Sequence, residues 1–286
     1  MRQPLLLFSL FITGVASAFA APQAESRPTP GEVYATASDG TPLTWIVYTP
    51  PGRGPWPAVL VIHGGLFLGG DASEKGPTTC AQDLAAAGYI AFSINFRLAP
   101  PGSIPGQRST GQFPEQYDDV ALAVQAARDD SRTTGKVGAV GGSSGATHAV
   151  WNSVTGRPGQ DRLDVAVAIS GAYDFSDFSP DPWLPVFIEI VTNYVGVPST
   201  DTAGLRAASP AWVVRRSVPP LFLVDSADDI MPEVQLDDMV ARLNASGVRN
   251  YEAMTIAGNS HSFANWPAIK SDALAFLASK LNGGGR

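Results

Sequence analysis

Two adjacent serines lie in the glycine-rich stretch "VGGSSGATHA", and their setting suits nucleophilic chemistry. Ser143 has Gly141 and Gly145 two residues to either side and completes the pattern G-x-S-x-G. This pattern is typical of a strained turn between a strand and a helix, which exposes a serine hydroxyl. Ser144 lacks one of the two glycines and fits less well. The spacing favours Ser143 as a nucleophile, although a glycine-serine turn can also cap a helix or bind an anion.

A serine hydroxyl needs a base to take its proton, and the chain has three histidines. His63 ends a predicted strand. His148 follows Ser143 by five residues on the predicted helix and points away from the turn. His261 lies in the polar loop "AGNSHSF" after the last predicted strand, so the sequence predicts His261 as the base.

The stretch "VDSADDIMP" offers three carboxylates that could orient this histidine. Asp225 closes a predicted strand, whereas Asp228 falls in the loop before the next helix. We therefore favour Asp228, with Asp229 as the main alternative. The order Ser143, Asp228, His261 is the chain order of a triad in an α/β-hydrolase.

Attack of a serine on an ester creates an oxyanion, which backbone N–H groups stabilise. The stretch "VIHGGLFLGGD" follows a predicted strand, and its glycines allow the backbone to turn its amides toward a site. We expect Gly65 and Ser144 to donate, with Leu66 as a further candidate. The alternative is that "HGG" is only a tight turn.

The elements that must position these residues alternate between strands and helices. Helical patterns lie at 80–88, 114–130, 144–154 and 232–247, between short apolar runs. Such alternation predicts one α/β domain with a mostly parallel central sheet flanked by helices. The predicted strands are "LTWIVYT", "AVLVIH", "YIAFSINF", "KVGAVG", "DVAVAIS", "PLFLVD" and "NYEAMTI".

About forty residues separate the fifth and sixth of these strands, and we interpret residues 171–212 as a small cap or lid. Trp183, Phe187 and Trp212 could line an apolar wall for a substrate, together with Phe67 of the glycine-rich loop. The alternative is that aromatic residues of the insert attach it to the rest of the domain.

Residues 1–20 have the basic start, apolar run and small residues of a secretory signal, which leaves 21–286 as the mature domain. We expect cleavage and a secreted or periplasmic protein; an uncleaved anchor is the alternative, but the run is short for a bilayer. Cys80 is the only cysteine, so no internal disulfide can form. The net charge of −7 argues against nucleic acid and stable membrane association as partners.

The motifs resemble those of α/β-hydrolases of the hormone-sensitive-lipase type and, more closely, bacterial esterases related to feruloyl and acetylxylan esterases. The resemblance implies Ser143 as nucleophile, Asp228 as acid and His261 as base. Leu66 stands where lipase-like members have a third glycine, and residues 101–112 are an insertion. The matching motifs are "HGGLFLGGD" (63–71), "NFRLAP" (95–100), "FPEQYDDVALAV" (113–124), "GGSSGATHA" (141–149), "ASP" (208–210), "DSADDIMP" (225–232) and "SHSF" (260–263).

The predicted function is therefore hydrolysis of carboxylic esters through an acyl-enzyme, with no metal or organic cofactor. We expect a small or polysaccharide-linked ester as the substrate, with a short-chain, aryl or carbohydrate component. A serine peptidase, an arylformamidase-like amide hydrolase and an inactive binding module are the alternatives.

Overall fold

Eight strands form one sheet in the computed structural model, which describes residues 28–101, 109–179 and 184–282. Their order across the sheet is β1-β2-β4-β3-β5-β6-β7-β8. The β1–β2 and β2–β4 pairs are antiparallel, and all pairs from β4 to β8 are parallel. The strands are β1 (Pro28–Thr36), β2 (Pro42–Tyr48), β3 (Trp56–Ile62), β4 (Ile90–Ile94), β5 (Thr133–Gly142), β6 (Val165–Ile169), β7 (Leu221–Ser226) and β8 (Tyr251–Ile256).

Helices cover both faces of this sheet. Helices α2, α3 and α6 contribute to one hydrophobic cluster, and α1 and α7 contribute to the other. Short 3₁₀ helices span Pro210–Trp212 and Ser262–Asn265. The α-helices are α1 (Lys75–Ala86), α2 (Glu115–Asp129), α3 (Ser144–Thr155), α4 (Leu184–Val195), α5 (Thr202–Ala207), α6 (Val234–Ala245) and α7 (Trp266–Leu281).

The two-sided cover explains why the central strands are apolar throughout. In β3, Leu60 and Ile62 belong to the cluster on one face, whereas Val59 and Val61 belong to the cluster on the other. All four side chains are fully buried. A parallel strand that helices cover on both faces needs apolar side chains on both faces. The predicted α/β fold with a mostly parallel sheet is confirmed.

All seven predicted strands are present, whereas β1 was not predicted from the sequence. This strand pairs only with β2 at the sheet edge, and its register shifts twice. Its sequence "PTPGEVYAT" contains two prolines and a glycine, which are tolerated at an edge but weaken a strand pattern. Val33 in this strand is apolar but 56% exposed, so the alternation of apolar and polar residues does not indicate a strand here either.

The segment after β6 contains α4 and α5 and is tied to the body of the domain. The Asn193 side chain donates to the carbonyl oxygen of Ala99 at 2.7 Å. The carbonyl oxygen of Tyr194 accepts a hydrogen bond from the N–H of Phe113 at 2.9 Å. These bonds fasten α4 to the loops that precede α2.

Several expectations fall outside the described residues, namely the signal segment 1–20, Trp183 and most of the insertion 101–112. Among the residues that the structure does describe, no helix is both long and apolar enough to cross a membrane.

Candidate active site

The side chains that the sequence singled out converge at the carboxyl ends of neighbouring parallel strands. Ser143 directly follows β5, Asp229 lies three residues after β7, and His261 lies five residues after β8. Ligands and reacting groups in α/β sheets collect at this edge because the loops that leave parallel strands all emerge there.

Ser143 occupies a sharp turn between β5 and α3. Its backbone has φ 56° and ψ −125°, a conformation that L-residues rarely adopt. The Ser143 N–H donates to the carbonyl oxygen of Ile169 in β6 at 2.8 Å, which anchors the turn. A Cβ at Gly145 would collide with the carbonyl oxygen of Ile62, and one at Gly141 would collide with that of Gly145. The close approach of the backbones therefore requires both glycines of the motif.

His261 connects this serine to a carboxylate. Its Nε2 atom lies 2.9 Å from the Oγ of Ser143, and its Nδ1 atom lies 2.6 Å from Oδ1 of Asp229. A carboxylate accepts only, so Nδ1 carries the hydrogen and Nε2 presents its lone pair to the serine hydroxyl. The histidine side chain is 22% exposed, so it is accessible to solvent.

The acidic partner is Asp229, so the sequence-based preference for Asp228 is corrected. Asp228 is exposed, and its N–H donates to the carbonyl oxygen of Gly258 at 2.9 Å. The chain turns immediately after β7, with a 3.2 Å bond from the Asp229 N–H to the carbonyl oxygen of Ser226. This turn directs Asp229 inward and Asp228 outward, which strand and loop boundaries alone do not reveal.

Ser170, which was not predicted as a site residue, also contacts Asp229. Its hydroxyl donates to Oδ2 of Asp229 at 2.6 Å and accepts the N–H of Ser262 at 3.0 Å. Ser170 is fully buried, has φ 57° and directly follows β6. The sequence feature that could have predicted Ser170 is its position directly after β6. This strand lies between β5 and β7, which precede Ser143 and Asp229.

The surroundings of Asp229 keep its carboxylate ionised. Burial alone would raise its pKa, but hydrogen bonds from His261, the Met231 N–H and the Ser170 hydroxyl hold the pKa below its ordinary value. The side chain of Asp229 is fully buried, so these donors replace the water that it loses on folding.

The other two histidines do not contact Ser143. His148 is fully buried, and its Nε2 lies 2.9 Å from Oε1 of Gln116. Burial lowers the pKa of His148 to about 3, so this ring is neutral. His63 is also buried, with its Nδ1 at 2.7 Å from the carbonyl oxygen of Gly64, and burial lowers its pKa.

The glycine-rich loop after β3 lies beside the serine. A Cβ at Gly64 would lie 2.9 Å from Cβ of Ser143. Gly65, Leu66 and Phe67 all have positive φ values, namely 129°, 60° and 64°. Within the described part of the chain, the N–H groups of Gly65 and Leu66 have no acceptor. A run of such free amides next to the Ser143 side chain is suited to an anion.

Ser144 provides another N–H group at this point. It is the first residue of α3, where backbone N–H groups have no acceptor within the helix. The expected donors Gly65, Leu66 and Ser144 therefore all lie on the two backbone segments that flank Ser143.

The expected substrate-binding aromatics occupy other positions, which corrects three of those expectations. Phe67 and Phe187 are buried, and the Phe67 ring stacks on Tyr194 with centroids 4.1 Å apart. Trp212 lies between the guanidinium groups of Arg206 and Arg242, 3.8 and 3.4 Å from its ring centroid. These aromatic residues fasten the insert to the domain, which is the alternative considered from the sequence. The sequence does not give the path of the insert, so it cannot decide whether these aromatic side chains line a substrate site or pack against the domain.

A family model matches residues 46–243 of the chain, which is well over half of its length, and its description is BD-FAE. The chain therefore belongs to the BD-FAE family, a family of α/β-hydrolase-like esterases. The match contains Ser143, Asp229 and the glycine-rich loop, whereas His261 lies beyond its end.

Solved structures show the same fold. One is described as a truncated form of a carbohydrate esterase from gut microbiota; its TM-score is 0.74 at 18% identity, and the match covers 92% of this chain and 99% of that one. A second is the thermophilic esterase Est2 of the Planctomycetes species Thermogutta terrifontis, with a TM-score of 0.69, 18% identity and coverage of 93% and 96%. A third is T. terrifontis esterase 2 phosphonylated by sarin, with a TM-score of 0.69, 18% identity and coverage of 91% and 97%. No curated protein is a significant sequence match.

Proposed function

We propose that the protein is a serine carboxylic-ester hydrolase in which Ser143, His261 and Asp229 form the catalytic triad. The observation that carries this proposal is the continuous hydrogen-bonded row from the Ser143 Oγ through both ring nitrogens of His261 to Asp229, with distances of 2.9 and 2.6 Å. A nucleophile, a base and an orienting acid in this geometry are what acyl transfer requires.

In the first half of the reaction, Ser143 attacks the ester carbonyl carbon while Nε2 of His261 takes the hydroxyl proton. Asp229 holds the ring in the required tautomer and stabilises the imidazolium that forms. The C–O bond to the alcohol then breaks, and His261 gives its proton to the departing oxygen. The product of this half is an ester between Ser143 and the acyl group.

In the second half, water attacks the acyl carbon while His261 takes one of its protons. The bond to the Ser143 Oγ breaks, and the imidazolium returns the proton to that oxygen. In both halves we assign stabilisation of the oxyanion to the N–H groups of Gly65, Leu66 and Ser144. One such donor contributes roughly a hundredfold or more to the rate.

The substrates that we propose are short-chain or aryl esters and acyl groups attached to carbohydrate. An apolar groove of about 550 Å³ begins at Leu66, which is 44% exposed, and continues along Val186 and Ile190 of α4. Such a groove suits an apolar part of an ester. Membership of the BD-FAE family and the similarity to a carbohydrate esterase support acyl groups attached to carbohydrate as substrates. The signal-like segment 1–20 supports action outside the cytoplasm.

Replacement of Ser143 by alanine is the direct test. We expect wild-type protein to release p-nitrophenol from p-nitrophenyl acetate and Ser143→Ala to lose at least about a thousandfold in kcat. Ser153→Ala is the matched control, because Ser153 is a buried serine of α3, the helix that follows Ser143, and its hydroxyl donates to the carbonyl oxygen of Ala149. Unchanged turnover in folded Ser143→Ala would refute the proposal.

A fluorophosphonate probe separates a hydrolase from an inactive binding protein on the same scaffold. The probe should label wild-type protein at Ser143 and leave Ser143→Ala unlabelled, as peptide mass spectrometry would show. Acetylated xylan, methyl ferulate and a series of p-nitrophenyl esters of increasing acyl length then define the substrate class. Cleavage of peptides in preference to all of these esters would contradict the assignment as an esterase.

A further inference from the structure

A second carboxyl group is buried against the acid of the triad. Asp225 is the fifth of the six residues of β7 and is 4% exposed. Its side chain is in hydrogen-bond contact with that of Asp229. The mechanism described above makes no use of Asp225, although it lies one side chain away from the group that orients His261.

No cation lies among the described neighbours of Asp225. One carboxyl oxygen, Oδ1, accepts the N–H of Ser226 at 2.9 Å. The other ionisable groups around it are Glu233 before α6 and the Tyr173 hydroxyl after β6, together with Asp229. Among the described residues, no lysine, arginine or histidine forms an ion pair with Asp225.

Two carboxyl groups in contact within a buried site cannot both be ionised without a large electrostatic cost, so they share one proton. The distribution of donors decides which group holds that proton. Asp229 accepts from His261, Ser170 and the Met231 N–H, all of which stabilise its negative charge. Asp225 receives only a backbone N–H, and burial followed by the proximity of Asp229 raises the pKa of Asp225 to about 8. The proton therefore stays on Asp225 at neutral pH.

We propose that Asp225 is a positioning residue which, as a neutral carboxylic acid, donates a hydrogen bond to the Asp229 carboxylate and sets the alkaline limit of ester hydrolysis. This proposal rests on the proposed function, because it assigns Asp225 a role in the same triad. The Ser226 N–H occupies Oδ1, which leaves the second oxygen to carry the proton.

Ionisation of Asp225 changes the site in two ways. The donor to Asp229 disappears, and a second negative charge arises beside a carboxylate that has no room to move away. The repulsion displaces Asp229 from His261, so kcat/KM falls above the pH at which Asp225 loses its proton. An amide at position 225 would donate through its NH₂ group at every pH.

The test compares the pH profiles of kcat/KM for wild type, Asp225→Asn and Asp228→Asn from pH 5 to 10. For wild type we expect a decline above about pH 8 that Asp225→Asn lacks, while Asp225→Asn keeps at least a tenth of the wild-type value at pH 7. Asp228→Asn makes the same carboxyl-to-amide replacement at an exposed position three residues away and should keep the wild-type profile. An identical alkaline decline in wild type and Asp225→Asn would overturn the proposal, as would an inactive but folded Asp225→Asn protein at pH 7.

A spectroscopic measurement tests the protonation itself, independently of turnover. Infrared difference spectra between pH 6 and pH 10 should show the loss of a protonated carboxyl C=O band in wild type and in Asp228→Asn, but not in Asp225→Asn. The absence of this band from wild type at pH 6 would refute a neutral Asp225. These outcomes are distinct from failure of the proposed function, which would appear as ester hydrolysis that persists in Ser143→Ala.

Discussion

The hydroxyl of Ser170 donates a 2.6 Å hydrogen bond to Oδ2 of Asp229 and so attaches the end of β6 to the carboxylate that faces His261. The Oγ of Ser170 also accepts a hydrogen bond from the N–H of Ser262, the residue after His261. One buried hydroxyl thus fixes both the Asp229 carboxylate and the backbone next to His261. Neither contact involves the reacting atoms, so Ser170 acts on the rate only through the position of its two partners.

Ser170→Ala should therefore lower kcat about tenfold and leave KM within about twofold. The variant loses a hydrogen bond to a charged group, which corresponds to about 1.5–3 kcal/mol, and leaves the Ser262 N–H without its acceptor. Steady-state kinetics with p-nitrophenyl acetate and urea unfolding measure both effects. Ser93→Ala is the control, since Ser93 is equally buried but donates to Ala72. Equal kcat values for both variants would contradict the positioning role.

Asp229→Asn should abolish most of the activity, whereas Asp228→Asn should not. The amide at 229 can present its NH₂ group to Nδ1, which favours the wrong tautomer of His261 and lowers kcat by about 10³–10⁴-fold. The carboxylate of Asp228 is exposed, so its loss should change kcat less than about threefold. Kinetics of the two purified variants at pH 7.5 give the comparison. A larger loss in Asp228→Asn would restore the sequence-based preference and contradict the observed geometry.

The contrast between these two aspartates shows what the sequence predicts and what it does not. The G-x-S-x-G pattern and the loop after the last strand identify Ser143 and His261, because glycine spacing and strand ends are local features. The choice between Asp228 and Asp229 depends on the turn closed by the Ser226 carbonyl oxygen, which no local pattern distinguishes.

The aromatic residues of the insert are a second case in which the sequence predicts the residue type but not the position of the side chain. Phe187 and Trp212 are identifiable as apolar anchors, but their partners come from segments far apart in the chain. Trp212 meets Arg242 of α6, and Phe187 joins a cluster that includes Phe67. Long-range packing decides whether an aromatic ring faces a substrate or the interior, so burial in this region could not be predicted from sequence.

The stability of the fold should depend on pH through Asp225. Its pKa is about 8 in the folded protein against 3.8 ordinarily, so between these values the folded state retains a proton that the unfolded chain has lost. The contribution of Asp225 to the free energy of unfolding is therefore at its full value below about pH 4 and declines as the pH rises toward 8. Asp229 acts in the opposite sense, because its lowered pKa adds stability that is lost as the pH falls.

Asp225→Asn should remove the first of these two dependences. Relative to wild type, the variant should gain stability between pH 5 and pH 9, as measured by urea unfolding at intervals of one pH unit. Asp228→Asn should differ from wild type by a constant amount across this range. Parallel curves for wild type and Asp225→Asn would show that Asp225 is already ionised in the folded protein at pH 5.

Gly145 and Gly69 provide a paired test of the close backbone approach beside Ser143. A Cβ at Gly145 would collide with the carbonyl oxygen of Ile62, which is fully buried at the end of β3 and is held between β4 and β5. Gly145→Ala should therefore cost about 3 kcal/mol or more in the free energy of unfolding and lower the yield of folded protein. A Cβ at Gly69 would meet only the carbonyl oxygen of Gly65 at 3.7 Å, so Gly69→Ala should change the unfolding free energy by less than about 1 kcal/mol. Urea unfolding followed by tryptophan fluorescence compares the two variants. Equal stabilities would mean that the turn after β5 can withdraw from β3, and the requirement for glycine at this position would then lie in the exposure of Ser143 alone.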